Sequence, residues 1–284
     1  MGNTLNSFSS SSVVQGSQDF LNSNSLVAKV VFLILALIVF ILILQIGSNL
    51  LSMFFAPSQN PILLKGMANA KQMIRIPQNP KASGAIPILR SQNEKDGMEF
   101  SWSVWIFVDD FGYKEHEYKH VFHKGSDDIN LTRAPIGKSY PNNAPGLYLT
   151  PDTNNLVVIM NTYDKISEEV IVKDIPLNKW VNIIIRCSKQ NQLDVYINGS
   201  LSKRYMLRGV PKQNYGDVFV GMNGGFSGYV SALRYFDYAI GTNHIQTLIE
   251  EGPNMKMIGG DASGKQALPQ YLSNRWYYKG ADDI

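Results

Sequence analysis

Three carboxylates stand close together in this 284-residue chain, at Glu94, Asp96 and Glu99. Two carboxyl groups held about 5 to 5.5 Å apart can hydrolyse a glycosidic bond with retention, one as nucleophile and the other as acid and base. The intervening residues include Lys95 and Gly97, which are typical of a solvated turn. The sequence therefore favours a charged turn, and a retaining glycoside hydrolase is the alternative.

Three histidines follow at His116, His120 and His123. Neutral imidazoles ligate zinc, and this spacing would gather them on one face of a helix. The residues between the last two, Val121 and Phe122, favour a strand instead. In a strand His120 and His123 point to opposite faces, so we expect exposed polar histidines rather than a metal centre.

Aromatic side chains in loops or at strand ends can stack on sugar rings. The candidates for such ligand binding are Tyr140, Tyr148, Tyr163 and Tyr215. Because most aromatic residues of a β-sandwich pack in its core, core packing is the competing interpretation for each of them. The one cysteine, Cys187, ends an alternating apolar run and is interpreted as a small core residue.

An uninterrupted apolar run, Val30–Leu44, lies within further apolar sequence from Leu26 to Leu50. As a helix this longer stretch would measure roughly 37 Å, enough to cross a hydrocarbon core about 30 Å thick. A cleaved signal peptide is the alternative, but no Lys or Arg precedes residue 26. We predict a transmembrane helix at 26–50 in a lipid bilayer, after a disordered tail rich in Ser and Asn at 1–25.

The charge of the chain is nearly balanced, with 26 Lys and Arg against 23 Asp and Glu, for a formal net charge of +3. No block of basic residues of the kind that grips a phosphate backbone is present. The sequence therefore does not favour nucleic acid as a partner.

Five prolines interrupt the segment from Pro57 to Gly97. Since proline removes ladder donors and ends helices, we predict an extended stalk at 51–97, with a short helix at Gly66–Ile74 and partial packing against the domain C-terminal to it. A C-terminal extension is predicted at 253–284.

From Met98 the chain changes to short runs rich in Val, Ile, Tyr, Phe and Trp, separated by Gly, Asn, Asp and Pro. Such runs suit one all-β sandwich, which we place at 98–252. Asn198-Gly199 predicts a two-residue hairpin turn of type I′, and a short helix is expected at Asn243–Glu250. The predicted strands are Met98–Val108, His120–His123, Gly146–Thr150, Leu156–Asn161, Glu168–Val172, Trp180–Cys187, Gln192–Ile197, Val218–Met222 and Tyr229–Tyr238.

Four pieces of sequence, in this order, carry a family likeness: Glu99–Ile106, Leu177–Ile183, Leu193–Gly199 and Gly228–Tyr235. They resemble the laminin-G-like (LamG-like) branch of the concanavalin A-like jelly-roll sandwiches. In that branch a Trp opens a central strand, a Tyr-Val-Asn-Gly hairpin follows, and a Gly-led strand ending in Arg-Tyr closes the domain. The resemblance implies an all-β jelly-roll sandwich, here preceded by the transmembrane helix.

The same resemblance bears on chemistry. Glycoside hydrolases of the concanavalin A-like class carry a Glu-x-Asp-x-x-Glu signature, and residues 94–99 match its letters. No cofactor is implied as a requirement, but LamG-like domains often bind calcium through loop oxygens. The candidate metal ligands would be Asp127, Asp128, Asp152 and Asn154, with plain turn chemistry as the competing interpretation.

The whole layout is also similar to membrane-anchored LamG-like proteins of large nucleocytoplasmic DNA viruses, especially those of algae. This likeness extends to Ile86–Ser91, Pro211–Asp217 and Arg275–Tyr278. It implies a virion or viral membrane protein, located in the virion or in a host-derived internal membrane. The implied role is a non-catalytic structural, glycan-binding or protein-binding module, with capsid proteins or glycans as partners.

Overall fold

The computed structural model describes residue 19 and residues 25–55, 57–91, 93–132, 134 and 136–258. It divides the chain into two compact units, Met1–Ala56 and Pro57–Ile284. Most of the tail predicted at 1–25 and most of the predicted C-terminal extension therefore lie outside the described residues.

The first unit contains the helix α1 (Leu26–Phe55), of 30 residues. It includes the whole of the predicted 26–50 helix. Apolar side chains are exposed on every side of it, among them Leu33, Phe40 and Ile43. By length and composition, Leu26–Ser52 could cross a membrane or serve as a signal sequence.

The second unit is a sandwich of two six-stranded antiparallel sheets, which confirms the predicted jelly-roll fold. The first sheet has the order β1-β14-β5-β10-β11-β12 and the second β2-β13-β6-β7-β8-β9. The strands are β1 (Ile62–Asn69), β2 (Ile74–Ile76), β3 (Asn93–Glu94), β4 (Gly97–Met98), β5 (Phe100–Asp110), β6 (Lys119–Gly125), β7 (Asn143–Leu149), β8 (Leu156–Met160), β9 (Glu168–Val172), β10 (Trp180–Ser188), β11 (Gln192–Ile197), β12 (Ser200–Met206), β13 (Asp217–Val220) and β14 (Ser227–Phe236). A 3-10 turn (Met222–Gly224) lies between β13 and β14, and helix α2 (Thr242–Glu251) comes after β14.

The central strand β5 is buried on both faces, because its two sets of alternating side chains enter different clusters. Trp102 and its neighbours on one face join the main core between the sheets. The Trp102 ring stacks on the Phe122 ring of β6, with 5.3 Å between their centroids, and this contact joins the two sheets. Trp105 and Phe107, on the other face, pack in a second cluster with Trp180.

The β11–β12 hairpin turns at Asn198 and Gly199, as predicted. Both residues have positive φ angles, 48° and 80°, and Ile197 pairs with Ser200 across the turn. This backbone is the one that a type I′ turn requires.

The segment predicted as a stalk supplies an edge strand to each sheet. β1 pairs with β14 and β2 pairs with β13. The helix predicted at Gly66–Ile74 is therefore wrong. Pro61 and Pro77 lie just outside these strands, so the prolines bound the strands and do not interrupt them.

The start of the predicted C-terminal extension pairs with β1. Met67 N donates to Lys256 O at 2.8 Å, and Ile258 N donates to Met67 O at 2.8 Å. Met67 and Met257 form a parallel bridge. Residues 254–258 thus lie along the edge of β1 that β14 leaves open.

Candidate functional site

An open cleft of about 930 Å³ lies between the two sheets, at the end of the sandwich where β5 begins and β6 ends. We call it the end cleft. Its inner surface includes Phe100, Trp102 and Tyr235, which also belong to the main core. The site is therefore an opening of the apolar core toward solvent, with walls made of loops.

One wall of the end cleft is the loop 210–216, which precedes β13. Lys212 N donates to Asn161 O at 2.8 Å, and Asn214 Nδ2 donates to Lys124 O at 2.9 Å. Gly216 lies so close to the backbone of Gly125 that a β-carbon there would overlap it. These contacts hold the loop against the ends of β6 and β8.

The opposite wall is formed by parts of the segment 78–98. Gln78 organises it: its Nε2 donates to Ile86 O at 3.0 Å, and its Oε1 accepts from Ile88 N at 2.8 Å. Gln213, on the facing loop, contacts Met98 Sδ at 2.7 Å and also Ser91 Oγ. The two walls are therefore joined to each other as well as to the sheets.

Lys124 is the most buried charged group of the end cleft, with 7% of its surface exposed. Its Nζ donates to Gly216 O at 2.6 Å. Burial lowers the pKa of this amine to about 8, and Asp217 partly offsets that effect. Three further basic side chains line the cleft: Arg90, Lys95 and Lys212.

Two of the four predicted ligand-binding tyrosines line the end cleft. Tyr163 and Tyr215 are 72% and 90% exposed, and Lys212 Nζ lies 5.1 Å from the centroid of the Tyr163 ring. Tyr140 is also exposed, but it is not among the residues that line the cleft.

The prediction for Tyr148 is wrong, because this residue is fully buried within β7. Its hydroxyl donates to Asn143 Oδ1 at 2.6 Å and accepts from Ser139 N at 3.2 Å. Burial raises the pKa of the hydroxyl above its ordinary value. The side chain is a satisfied core tyrosine and is not available to a ligand.

The segment of the three acidic residues folds as a tight hairpin. Glu94 of β3 pairs with Gly97 of β4 across a turn, where Asp96 is exposed. Glu99 Oε1 accepts a hydrogen bond from Lys189 N at 3.3 Å. Among the side chains that the structure describes, neither Asp96 nor Glu99 lines the end cleft.

The four predicted calcium ligands are divided between two ends of the sandwich. Asp127 and Asp128 follow the end of β6, and Asp152 and Asn154 follow the end of β7. Because β6 and β7 are antiparallel and β6 has seven residues, these ends are roughly 20 Å apart. The four residues cannot bind one ion together, and calcium binding stays a prediction.

Asp152 and Asn154 each contact another residue of the chain. Asp152 Oδ1 lies 2.8 Å from His116 Nδ1, and Asn154 Nδ2 donates to Ile175 O at 3.1 Å. Among the described residues, no group of three or more His, Cys, Asp or Glu side chains could hold a metal ion. The zinc alternative for the three histidines is therefore not formed in this part of the chain.

The expected exposure of His120 and His123 is wrong. A register shift between His120 and Phe122 interrupts the alternation of β6, so both rings are buried and meet at 2.6 Å between Nε2 and Nδ1. Met222 N donates to His120 Nδ1 at 3.0 Å, and His123 Nε2 lies 2.7 Å from Ser126 O. We call these two residues the histidine pair.

The basic residues of the end cleft were not found as a site from the sequence. Arg90, Lys95, Lys124 and Lys212 lie far apart along the chain and form no block. They meet only because both sheets end at this cleft. Their one local signal is the loop segment Pro211–Asp217, which combines basic, amide and aromatic residues between two β-type runs.

Comparisons with known proteins show a family and a fold. A family model for the concanavalin A-like lectin/glucanases superfamily matches residues 82–246. No curated protein matches the chain.

Several solved structures are similar in fold. One is the binding domain of botulinum neurotoxin serotype D, with a TM-score of 0.46 and 14% identity over 68% of this chain and 42% of that chain. Another is the receptor-binding domain of the botulinum neurotoxin C/D mosaic serotype, with a TM-score of 0.42 and 15% identity over 54% of this chain and 36% of that chain. The chain thus spans well under half the length of these structures.

Proposed function

The chain belongs to the concanavalin A-like lectin/glucanase superfamily, and from this membership we propose that its sandwich is a non-catalytic module that binds a saccharide chain in the end cleft. The observation that carries the proposal is the pairing of an open cleft of about 930 Å³ with two exposed tyrosines, Tyr163 and Tyr215, among its lining residues. Concave sites with a few convergent polar groups are where small ligands usually bind.

The composition of the cleft suits a sugar. Tyrosine rings offer an apolar face to the C–H groups of a pyranose and a polar hydroxyl at the edge. Gln190, Gln213 and Asn214 line the same cleft and offer amide donors and acceptors for sugar hydroxyls. Contacts within the protein already hold the side chains of Gln213 and Asn214, which lowers the entropic cost of binding.

The test is retention of the full chain, held in detergent micelles, on immobilised β-glucans, chitin and algal polysaccharides. We expect Tyr163→Ala and Tyr215→Ala each to weaken retention roughly twofold to tenfold, as loss of an aromatic contact predicts. Tyr140→Ala is the matched control, because Tyr140 is exposed and does not line the cleft. Equal losses in all three variants would contradict binding in the end cleft.

The second candidate function is a retaining glycoside hydrolase that uses Glu94, Asp96 and Glu99. The family includes glucanases, and residues 94–99 carry the required letters. We expect the wild type to release no reducing ends. We also expect Glu94→Gln with Glu99→Gln to leave retention unchanged, although its amides could act neither as nucleophile nor as acid in a hydrolase. Release by the wild type that the double variant loses would make the chain a hydrolase.

We further propose that α1 tethers this module to a membrane, and that the membrane belongs to a virion or to a host-derived compartment in which virions form. The exposed apolar side chains of α1 support the tether, and the sequence resemblance to viral membrane-anchored proteins supports the location. Mass spectrometry of purified virions, with protease protection of intact and stripped particles, tests the location. Absence of the chain from the particles would refute the proposal that it is a virion protein.

A further inference from the structure

The described charges that line the end cleft are mostly positive. Arg90, Lys95, Lys124 and Lys212 face one carboxylate, that of Asp217. Both oxygens of Asp217 are already engaged: Arg75 Nε donates to Oδ2 at 2.7 Å, and Gln78 N donates to Oδ1 at 2.9 Å. Asp217 therefore pairs with Arg75. Its charge also acts on Lys124, but one carboxylate cannot cancel the charge of the four lining cations.

None of the four lining cations forms an ion pair with another described residue of the chain. Lys212 contacts the Tyr163 ring, and Lys124 donates to the carbonyl oxygen of Gly216. Cations that share a concave surface raise its positive potential, and low-dielectric walls focus that field. The cleft is consequently an attractive environment for a negatively charged group.

Lys124 offers an anion a specific hydrogen-bond donor at the inner surface of the cleft. An ammonium has three donors, and Gly216 O accepts one of them. A buried charge is costly unless it is paired, and the lowered pKa of Lys124 reflects that cost. An anion at the inner surface of the cleft would accept a charge-assisted hydrogen bond from this amine and compensate its burial.

The other cations stand on both walls around Lys124. Arg90 and Lys95 belong to the segment 78–98, and Lys212 belongs to the facing loop beside Tyr163. Charges on both walls, next to exposed aromatic rings, match a ligand that repeats a sugar ring and an anionic substituent along its length. A neutral glycan would bring no counter-charge to these four cations, none of which forms an ion pair with another described residue.

We infer that the ligand of the end cleft is an acidic polysaccharide, a sugar chain that carries sulfate ester or carboxylate groups. This inference rests on the proposed saccharide-binding function and specifies its ligand class. Sulfate esters and uronate carboxylates share the relevant chemistry, since both present anionic oxygens to ammonium and guanidinium donors.

The test compares three polysaccharides on the full chain in detergent micelles. Carrageenan is a sulfated galactan, agarose is a galactan without the sulfate groups, and alginate is a polyuronate. We expect carrageenan, alginate or both to bind at least about tenfold more tightly than agarose, and the preference to shrink as ionic strength rises. Which of the two acidic chains binds more tightly identifies the anionic group.

A matched pair of variants separates the cleft from net charge. The variant Arg90→Gln/Lys95→Gln/Lys212→Gln removes three lining cations. The control Lys65→Gln/Lys173→Gln/Lys203→Gln removes three exposed lysines that do not line the cleft. We expect the first to weaken acidic-chain binding by about tenfold or more, since each exposed charge contact contributes a factor of about two to five, and the control by less than about twofold.

Each other outcome overturns the inference in a distinguishable way. Tight binding of agarose alone would leave the proposed function standing and refute the acidic ligand. Binding of none of the three polysaccharides, together with no retention on β-glucans or chitin, would refute both. Equal losses of acidic-chain binding in the two triple variants would show a general attraction for polyanions and no acidic-sugar site. An affinity for duplex DNA equal to that for the acidic polysaccharides would show the same.

Discussion

The order of hydrogen bonds in the histidine pair is set by the main-chain atoms at its two ends. Met222 N can only donate, so His120 Nδ1 accepts, and Ser126 O can only accept, so His123 Nε2 carries a hydrogen. The remaining contact must then run from His120 Nε2–H to His123 Nδ1. Both imidazoles are neutral in this arrangement, because a further proton on either Nδ1 would face another donor.

The surroundings of the histidine pair also disfavour protonation. His123 stacks on Phe219 at 5.2 Å, and the Tyr148 ring lies edge-on to His120 at 5.3 Å. Burial lowers the pKa of His120 well below its ordinary value, with a further contribution from His123. Burial likewise lowers the pKa of His123, to about 4, although its bond to Ser126 acts in the opposite direction.

We predict that the histidine pair makes the sandwich sensitive to mild acid. Because the folded pKa values are depressed, the unfolded chain takes up protons first. The contribution of the histidine pair to the free energy of unfolding should therefore be nearly constant above about pH 7 and fall as the pH drops from about 6.5 toward 4, by about 1.5 kcal/mol for His123 between pH 6.5 and 5. Urea titrations followed by tryptophan fluorescence at several pH values measure this slope.

The double variant His120→Gln/His123→Gln is the control for that slope. It removes both titrating groups and keeps side chains that can donate and accept, so the pH dependence between 6.5 and 5 should flatten even if the variant is less stable. A slope equal to that of the wild type would assign the acid sensitivity to other groups.

Single residues were the least predictable level of this protein. Alternation along β6 predicted that His120 and His123 point apart, and the register shift that reverses this has no signal in the sequence. Position along the chain predicted an accessible Tyr148, which the packing of β7 buries. Tyr163 and Tyr215 were predicted as exposed aromatic residues, but the cleft that they share depends on both sheets.

At the scale of elements, strands in runs rich in β-branched and aromatic residues were predicted, and β1 and β2, in the segment rich in proline, were missed. The β11–β12 hairpin follows from Asn198-Gly199 alone. β1 and β2 pair with β14 and β13, which lie far along the chain, and the prolines around them favoured a stalk. Buried Leu63 and Leu64, between Pro61 and the next turn, were the local signal that could have identified β1.

We predict that Gly199→Val destabilises the sandwich by about 1–3 kcal/mol. Its φ of 80° is strained for a β-branched residue, and the added side chain would begin 3.2 Å from Ile249 Cγ1. The thermal midpoint of unfolding is the measurement. Ser200→Val is the matched control, because Ser200 is exposed in β12, where valine suits a strand. An equal effect of the two variants would contradict a strained turn at Gly199.

At the scale of the whole molecule, the two units require different surroundings. α1 exposes apolar side chains on all sides, which water solvates poorly. The sandwich buries its apolar residues in clusters between and outside its sheets. One chain thus combines a helix suited to a hydrocarbon environment with a domain that has its own core.

We predict that the full chain needs detergent to stay in solution, whereas deletion of residues 1–56 leaves a water-soluble, β-rich protein. The reason is that the uninterrupted apolar run Val30–Leu44, within the largely apolar stretch 26–50, cannot be exposed to water at low cost. Size-exclusion chromatography with and without detergent, together with circular dichroism, measures this. Full-length protein that is monodisperse without detergent would contradict the tether, and a mature chain lacking residues 26–50 would indicate a signal peptide.

The pairing of β1 with β14, and of β2 with β13, has a consequence for synthesis on the ribosome. β1 ends at Asn69 and β14 begins at Ser227, so β1 can pair with its partner strand only after most of the chain has emerged, and the same holds for β2 and β13. At about 5–20 residues per second, the roughly 150 intervening residues take roughly 8 to 30 seconds to translate. During that interval Leu63 and Leu64 have no partner strand, so we expect the nascent chain to depend on a chaperone until its last strands arrive.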